Sequence, residues 1–127
     1  MENLEHQASL LFGEKEYAKA LEIYQLLLRD NPKNEKYAIS CGNCFDALGD
    51  KEAAVAYYLE AYRTNHNSEA AALNLSTTYY ELKDFDHARE YAHKVLNLNK
   101  KNIAAWQNLA NIAFCNTEYE EALQYYQ

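Results

Sequence analysis

Hydrophobic and polar positions in this chain recur on two scales. Over short distances, apolar residues fall three or four apart, as on one face of an α-helix: Cys41 with Phe45, Leu75 with Tyr79, and Ala20 with Tyr24 and Leu27. Over longer distances the pattern returns every 34 residues, most plainly at Ala20, Ala54, Ala88 and Ala122. Cut at that interval, the chain aligns without gaps into units 1–34, 35–68, 69–102 and 103–127, the last stopping after 25 positions. A constant period of this length is the mark of stacked repeats.

Each unit is expected to be a pair of helices. Position 8 of the unit holds Ala8, Gly42, Ser76 and Ala110, and position 20 holds the four alanines. Small residues at two fixed places let two helices cross closely. Large residues flank them: Tyr24, Tyr58 and Tyr126 at position 24, and Tyr17, Phe85 and Tyr119 at position 17. Large against small is how facing helices interdigitate. Asn34, Ser68 and Asn102 suit N-caps, and Glu16, Asp50, Asp84 and Glu118 place negative charge at helix starts, where the helix dipole favours it. Asn31, Asn65 and Asn99 are expected to end helices in left-handed geometry, and Pro32 follows a helix that has stopped. Helix A is thus predicted at about positions 2–14 and helix B at about 17–30 of every unit, with a tight turn between them. In the fourth unit, helix B would be cut short over Ala122–Gln127, leaving the apolar face around Leu109, Ala122 and Tyr126 partly open. An open face of this kind implies a longer parent array or self-association through the open repeat.

Composition narrows the picture. Hydrophobic residues make up 49% of the chain, while Pro 1 and Gly 3 supply too few turn-formers for a many-stranded β fold. A net charge of -7 and the lack of a basic cluster argue against nucleic acid. No apolar run approaches a membrane span, and the start Met1-Glu2-Asn3 carries no signal-peptide pattern. Cysteines at an odd count of 3 fit free thiols in a reducing compartment, so cytoplasmic residence is expected unless the parent protein carries a targeting segment elsewhere.

A 34-residue helix–turn–helix unit of this pattern resembles the tetratricopeptide repeat family, whose signature is Trp-x2-Leu-Gly-x2-Tyr, then Ala-x3-Phe, then Pro. Unit four shows Trp106-x2-Leu109-Ala110-x2-Ala113 and Ala122-x3-Tyr126. Unit one shows Ala20-x3-Tyr24 with Pro32, and unit two shows Gly42-x2-Phe45 with Ala54-x3-Tyr58. His66 and Lys100 replace the proline, and Ala92 replaces the aromatic residue in unit three, with neighbouring Tyr91 placed to fill its space. The resemblance implies an all-α fold: an α-solenoid of antiparallel helix pairs in a right-handed superhelix, with three full repeats and a truncated fourth.

It also implies a site, a concave groove lined by helix A that takes a peptide or protein segment. The groove positions hold Ser40, Asn74 and Asn108, then Asn43, Thr77 and Asn111, with Ile39, Leu73 and Gln107, and with Tyr80 and Phe114. An Asn amide can both donate to and accept from an extended peptide backbone. The same positions exclude one familiar ligand of the family, the C-terminal carboxylate of heat-shock chaperones. Asn43 and Asn74 fit that clamp, but its cations are replaced by Ile39, Ala104 and Asn108. Starting the clamp one unit earlier fails at Glu5 and Ala70. A carboxylate would therefore lack a charge partner.

No catalytic, cofactor or metal constellation emerges. Cys41-Gly42-Asn43-Cys44 has redox-motif spacing but falls inside helix A at core positions, so structural cysteine is expected. A zinc site would need about four ligands, and no second pair follows. His87 and His93 belong to helix B, and Glu120-Glu121 reads as a solvated face. The reading is a non-enzymatic interaction scaffold. The alternatives are a secretion-type chaperone of bacterial translocators and the non-catalytic arm of a larger transferase or regulator.

Overall fold

In the computed structural model the described residues are 3–125, with Asn116 and residues 118–125 described by backbone alone. Among them are seven α-helices and no strand: α1 Leu4–Gly13, α2 Tyr17–Asp30, α3 Glu35–Ala47, α4 Lys51–Thr64, α5 Glu69–Glu81, α6 Phe85–Leu98 and α7 Ile103–Tyr125. The chain forms two compact units that meet at Ala71 and Ala72, within α5.

The helix starts follow from the 34-residue register. Asn34, Ser68 and Asn102 cap α3, α5 and α7, accepting from the amides of Tyr37 (3.3 Å), Ala71 (3.1 Å) and Ala105 (3.0 Å). Asp50 and Asp84 are themselves N-caps of α4 and α6, accepting from Ala53 (3.1 Å) and His87 (3.3 Å). Glu16, one methylene longer, makes no side-chain cap bond to α2.

The helix ends differ from expectation. Asn31, Asn65 and Asn99 leave α2, α4 and α6 with φ of -135°, -141° and -151°, not in the left-handed region, and Asn65 and Asn99 are extended. Asn65 and Asn99 then accept from the amides of Asn67 (3.0 Å) and Lys101 (3.1 Å), turning the chain with their own side chains. The positive φ values lie instead in the turn inside each of the first three repeats, at Lys15 (66°), Gly49 (89°) and Lys83 (65°).

In the first unit, the small residues do what their spacing implies. Ala8, Ala20, Cys41 and Cys44 are fully buried and form one core with Tyr24, flanked by Leu11, Phe12, Leu21 and Ile23. Ala38, Ala61 and Ala71 form a second, against which Leu28, Ile39 and Tyr62 pack. Gly42 is required by close approach: a Cβ there would lie 2.5 Å from Cε1 of Tyr58. In the second unit, Leu75, Ala88, Ala92, Val95 and Ala105 are fully buried.

Unit three solves the loss of the position-24 aromatic differently from the expectation. Tyr91 does not fill the space of Ala92. It stacks on Tyr79 at 5.8 Å, just as Tyr57 of the second repeat stacks on Phe45 at 5.5 Å, so it fills the place proper to position 23. At position 8 of the same unit, Ser76 stands where unit two has Gly42, donates to the Ala88 carbonyl (2.9 Å) and accepts from Asn108 (3.2 Å).

The fourth unit departs most. Where a turn was expected after position 14, α7 runs unbroken from Ile103 to Tyr125. The position of Lys15, Gly49 and Lys83 is taken by Thr117. A β-branched residue is a strained occupant of positive φ, and Thr117 is instead helical, its hydroxyl donating to the Ala113 carbonyl (2.9 Å). The expected contacts of Tyr119, Ala122 and Tyr126, and the face they would share with Leu109, lie outside the described side chains.

Candidate functional site

The expected groove residues sit on α3, α5 and α7, and the two units are taken separately. In the first, Ser40 and Asn43 lie one turn apart on α3 and share a small hollow with Ser9 and Phe12 of α1, with Tyr24 behind them. Two tyrosines set the polar groups. The Tyr24 hydroxyl shares a hydrogen bond with Ser40, and burial pushes its pKa up, keeping it a neutral partner. The Tyr58 hydroxyl donates to Asn43 Oδ1 at 2.6 Å. With its carbonyl occupied, Asn43 keeps its amide N–H groups to donate. Ile39 is half-buried against the Ala38, Ala61 and Ala71 core.

Near the start of α3 a lysine is paired. Lys36 Nζ lies 2.7 Å from Glu5, which also accepts from Tyr37 at 3.2 Å. The hydrogen bond from Lys36 holds the Glu5 carboxyl below the usual carboxylate range.

In the second unit, α5 carries Leu73, Asn74, Thr77 and Tyr80, and α7 carries Gln107, Asn108, Asn111 and Phe114. Asn108 reaches across to α5 and donates to Ser76 Oγ (3.2 Å) and Thr77 Oγ1 (3.1 Å). Both bonds are given by its Nδ2, and its carbonyl has no hydrogen-bond partner among the described residues. Asn74, half-buried, and Asn111, exposed, have no hydrogen-bond partner among the described residues. Tyr80 is engaged on two sides, its ring 5.8 Å from that of Phe85 and its hydroxyl 3.5 Å from Cys115 Sγ. Phe114 is 62% exposed.

The four asparagines are therefore not equivalent. Asn43 and Asn108 are fixed by neighbouring hydroxyls and present opposite halves of the amide; Asn74 and Asn111 keep both. The sequence reading missed the roles of Tyr24 and Tyr58 in this site. Their aromatic periodicity marks them as core, and only the geometry shows each hydroxyl emerging beside a groove residue.

The other chemical motif is buried. Cys41 and Cys44 are fully inaccessible, and burial pushes their thiols up to about 12 and about 11. Neither is a thiolate near neutral pH, the form that reacts or binds metal. Among the described residues no three His, Cys, Asp or Glu side chains are grouped to hold a metal. Two results follow. In folded protein at pH 8 a thiol reagent should titrate the half-exposed Cys115 and leave Cys41 and Cys44 to react only in urea. A raised folded pKa stabilises the fold below the unfolded thiol value, about 8.5, and that contribution is lost as pH climbs to the folded values. The urea midpoint should fall between about pH 8.5 and 12, and less so in Cys41→Ala.

The comparisons agree with this architecture. Tetratricopeptide repeat family models match residues 6–70 and residues 70–102. The chain belongs to the tetratricopeptide repeat family. "BBSome complex member BBS4" from Bos taurus is 25% identical over 120 residues, which are 94% of this chain but 23% of that protein. The chain thus spans about a quarter of the length of the curated relatives it matches. Among solved structures, the first tetratricopeptide domain of Spaghetti (RPAP3), bound to an HSP90 peptide SRMEEVD, has a TM-score of 0.86 at 18% identity and covers 90% of each chain. The Yersinia enterocolitica secretion chaperone SycD, in complex with a peptide of the translocator YopD, has a TM-score of 0.84 at 13% identity over 89% of this chain and 92% of its own. Tetratricopeptide domains of this fold are protein-interaction modules, and no helix among the described residues is long and apolar enough to cross a membrane.

Proposed function

We propose that this chain is a scaffold that holds an extended or helical segment of another protein against the helix-A surfaces of its repeats. The observation that carries this is the set of oriented amides. Asn43 presents donors, Asn108 presents an acceptor, and Asn74 and Asn111 present both, flanked by apolar Leu73 and Phe114. A peptide backbone offers alternating N–H and C=O groups, and such amides match it without reading its charge. Two structural relatives are bound to peptides, in line with this reading.

The ligand class is narrowed by charge. With Ile39, Ala104 and Asn108 where a carboxylate clamp has cations, and Lys36 engaged by Glu5, the groove recognises backbone and apolar side chains rather than a chain-terminal carboxylate. The test is calorimetric titration with two probes: the peptide SRMEEVD, and the best binder selected from a random peptide library. SRMEEVD should bind no more tightly than roughly 1 mM, and the selected peptide should bind without needing a free C-terminus. Micromolar binding of SRMEEVD, lost on amidation, would contradict the reading.

A second reading, an arm within a larger multi-subunit assembly, is favoured by the match to a protein named as a complex member and by the small share of it that this chain spans. The same groove would then serve a fixed subunit rather than an exchanging peptide. A secretion-type chaperone is the remaining alternative, supported by the likeness to SycD.

A further inference from the structure

We propose that the first unit carries a second docking site on its second-helix side, and that this site takes a segment of a partner protein in which a bulky apolar side chain lies within one helical turn of an aspartate or glutamate. The inference is independent of the groove reading. A hollow of about 350 Å³ opens between α2 and α4, lined by Gln25, Leu28, Arg29, Pro32, Tyr57 and Glu60. Its lining is mainly apolar, with Leu28, Pro32 and the Tyr57 ring as its apolar groups. An apolar hollow with a few polar groups at its edge is the usual form of a binding site.

The walls are held in place. The Tyr57 ring stacks on Phe45 at 5.5 Å, and Gln25 Nε2 donates to its hydroxyl at 3.3 Å. Pro32 stiffens the chain where it has left α2. An occupant therefore meets a formed surface and loses little affinity to ordering it. The next repeat has Tyr62 and His66 at the places of Leu28 and Pro32, and those two rings pack on each other at 5.2 Å. The smaller pair in unit one leaves room for a guest.

The polar groups set the charge of that guest. Arg29 is exposed and has no ion-pair or hydrogen-bond partner among the described residues. Glu60, on α4, is held by Arg63 at 2.9 Å. Asp30 follows Arg29 but lies about 100° further round α2, and it too has no partner among the described residues. The Tyr57 hydroxyl accepts from Gln25 and keeps its own proton to donate. A guanidinium and a phenol O–H at the edge of an apolar hollow suit a carboxylate beside an apolar group. The fork of Arg29 binds the carboxylate through two parallel hydrogen bonds, while the apolar group covers Leu28 and Pro32. A basic residue in the same place would be repelled by Arg29. Leu26, 47% exposed and one turn before Arg29, extends the apolar surface along α2 past the hollow. A protein segment covers it; a free small acid does not.

The probe is a displayed library of random peptides with leucine or phenylalanine fixed at the centre, selected on the wild-type chain and counter-selected on Arg29→Gln. Enriched peptides should carry Asp or Glu within about four residues of the centre, one helical turn. In ¹⁵N spectra the tightest of them, acetylated and amidated, should shift the Gln25 side-chain amide, the Arg29 Nε–H and the backbone amide of Glu60. Arg29→Gln, whose remaining backbone spectrum should match wild type, should weaken that peptide by about tenfold, the scale of one charge-assisted hydrogen bond. Arg29→Lys should weaken it less. Phenylbutyrate, the same chemistry as a free acid, should bind at least about tenfold more weakly than the peptide, since it leaves Leu26 uncovered. The proposal is overturned if no peptide is enriched, if enriched peptides lack an acid near the centre, if the shifts fall on Asn74 and Asn111, or if phenylbutyrate binds as tightly as the peptide.

Discussion

Gly42→Ser should destabilise this protein by about 1–3 kcal/mol, and the loss should largely disappear when Tyr58→Ala is made alongside it. The first part follows from contact. Any Cβ at residue 42 falls 2.5 Å from Cε1 and 2.7 Å from Cδ1 of Tyr58, a ring only 2% exposed and held by its hydroxyl to Asn43. The ring cannot swing away without breaking that bond. Helix propensity works in the opposite direction, since glycine is among the poorer helix formers, and the steric term is expected to exceed it. The second part follows from the next repeat, which carries Ser76 and Ala92 at the positions of Gly42 and Tyr58, both fully buried. The protein already contains the Ser and Ala combination in a packed form. A double-mutant cycle by urea denaturation should therefore give a coupling of about 1–3 kcal/mol between the two sites. Additive losses would mean that the ring of Tyr58 is not what excludes a side chain at Gly42.

The second large effect concerns binding. Asn74→Ala and Asn111→Ala should each weaken a library-selected peptide by about tenfold, with little change in stability. Neither side chain has a hydrogen-bond partner among the described residues, so its removal leaves no buried group unsatisfied. One backbone hydrogen bond contributes about 0.5–1.5 kcal/mol net, and 1.4 kcal/mol is tenfold in Kd. Asn108→Ala is the contrasting case. It strips donors from Ser76 and Thr77 and should lower stability as well as affinity. A result in which Asn74→Ala and Asn111→Ala bind as tightly as wild type would remove these residues from the site.

Much of this was legible from the 34-residue register, because close helix crossings and helix caps depend on local residue type. The small residues at positions 8 and 20 are buried where the chain makes repeats, and Asn34, Ser68 and Asn102 cap helices as expected. What was not legible came from side chains meeting across elements. The hydroxyl of Tyr58 takes the carbonyl of Asn43, and Asn108 spends its donors on Ser76 and Thr77. Position within a helix does not show which half of an amide is already used. The negative φ at Asn31, Asn65 and Asn99 escaped for a related reason. Asparagine suits two different ways of leaving a helix, and the identity of the residue does not choose between them. The unbroken α7 is a different matter. Its cause, a threonine where other repeats have lysine or glycine, stands in the sequence, but alignment by small and aromatic positions gives turn residues no weight.

The groove assignment is tested most directly by the side-chain amide resonances of ¹⁵N-labelled protein during titration with the selected peptide. The account predicts that the NH2 signals of Asn43, Asn74, Asn108 and Asn111 shift with the fractional saturation, along with the backbone amides of Leu73 and Gln107. Shifts confined instead to Gln25, Arg29 and Glu60, which line a separate hollow on the second-helix side of the first unit, would contradict it.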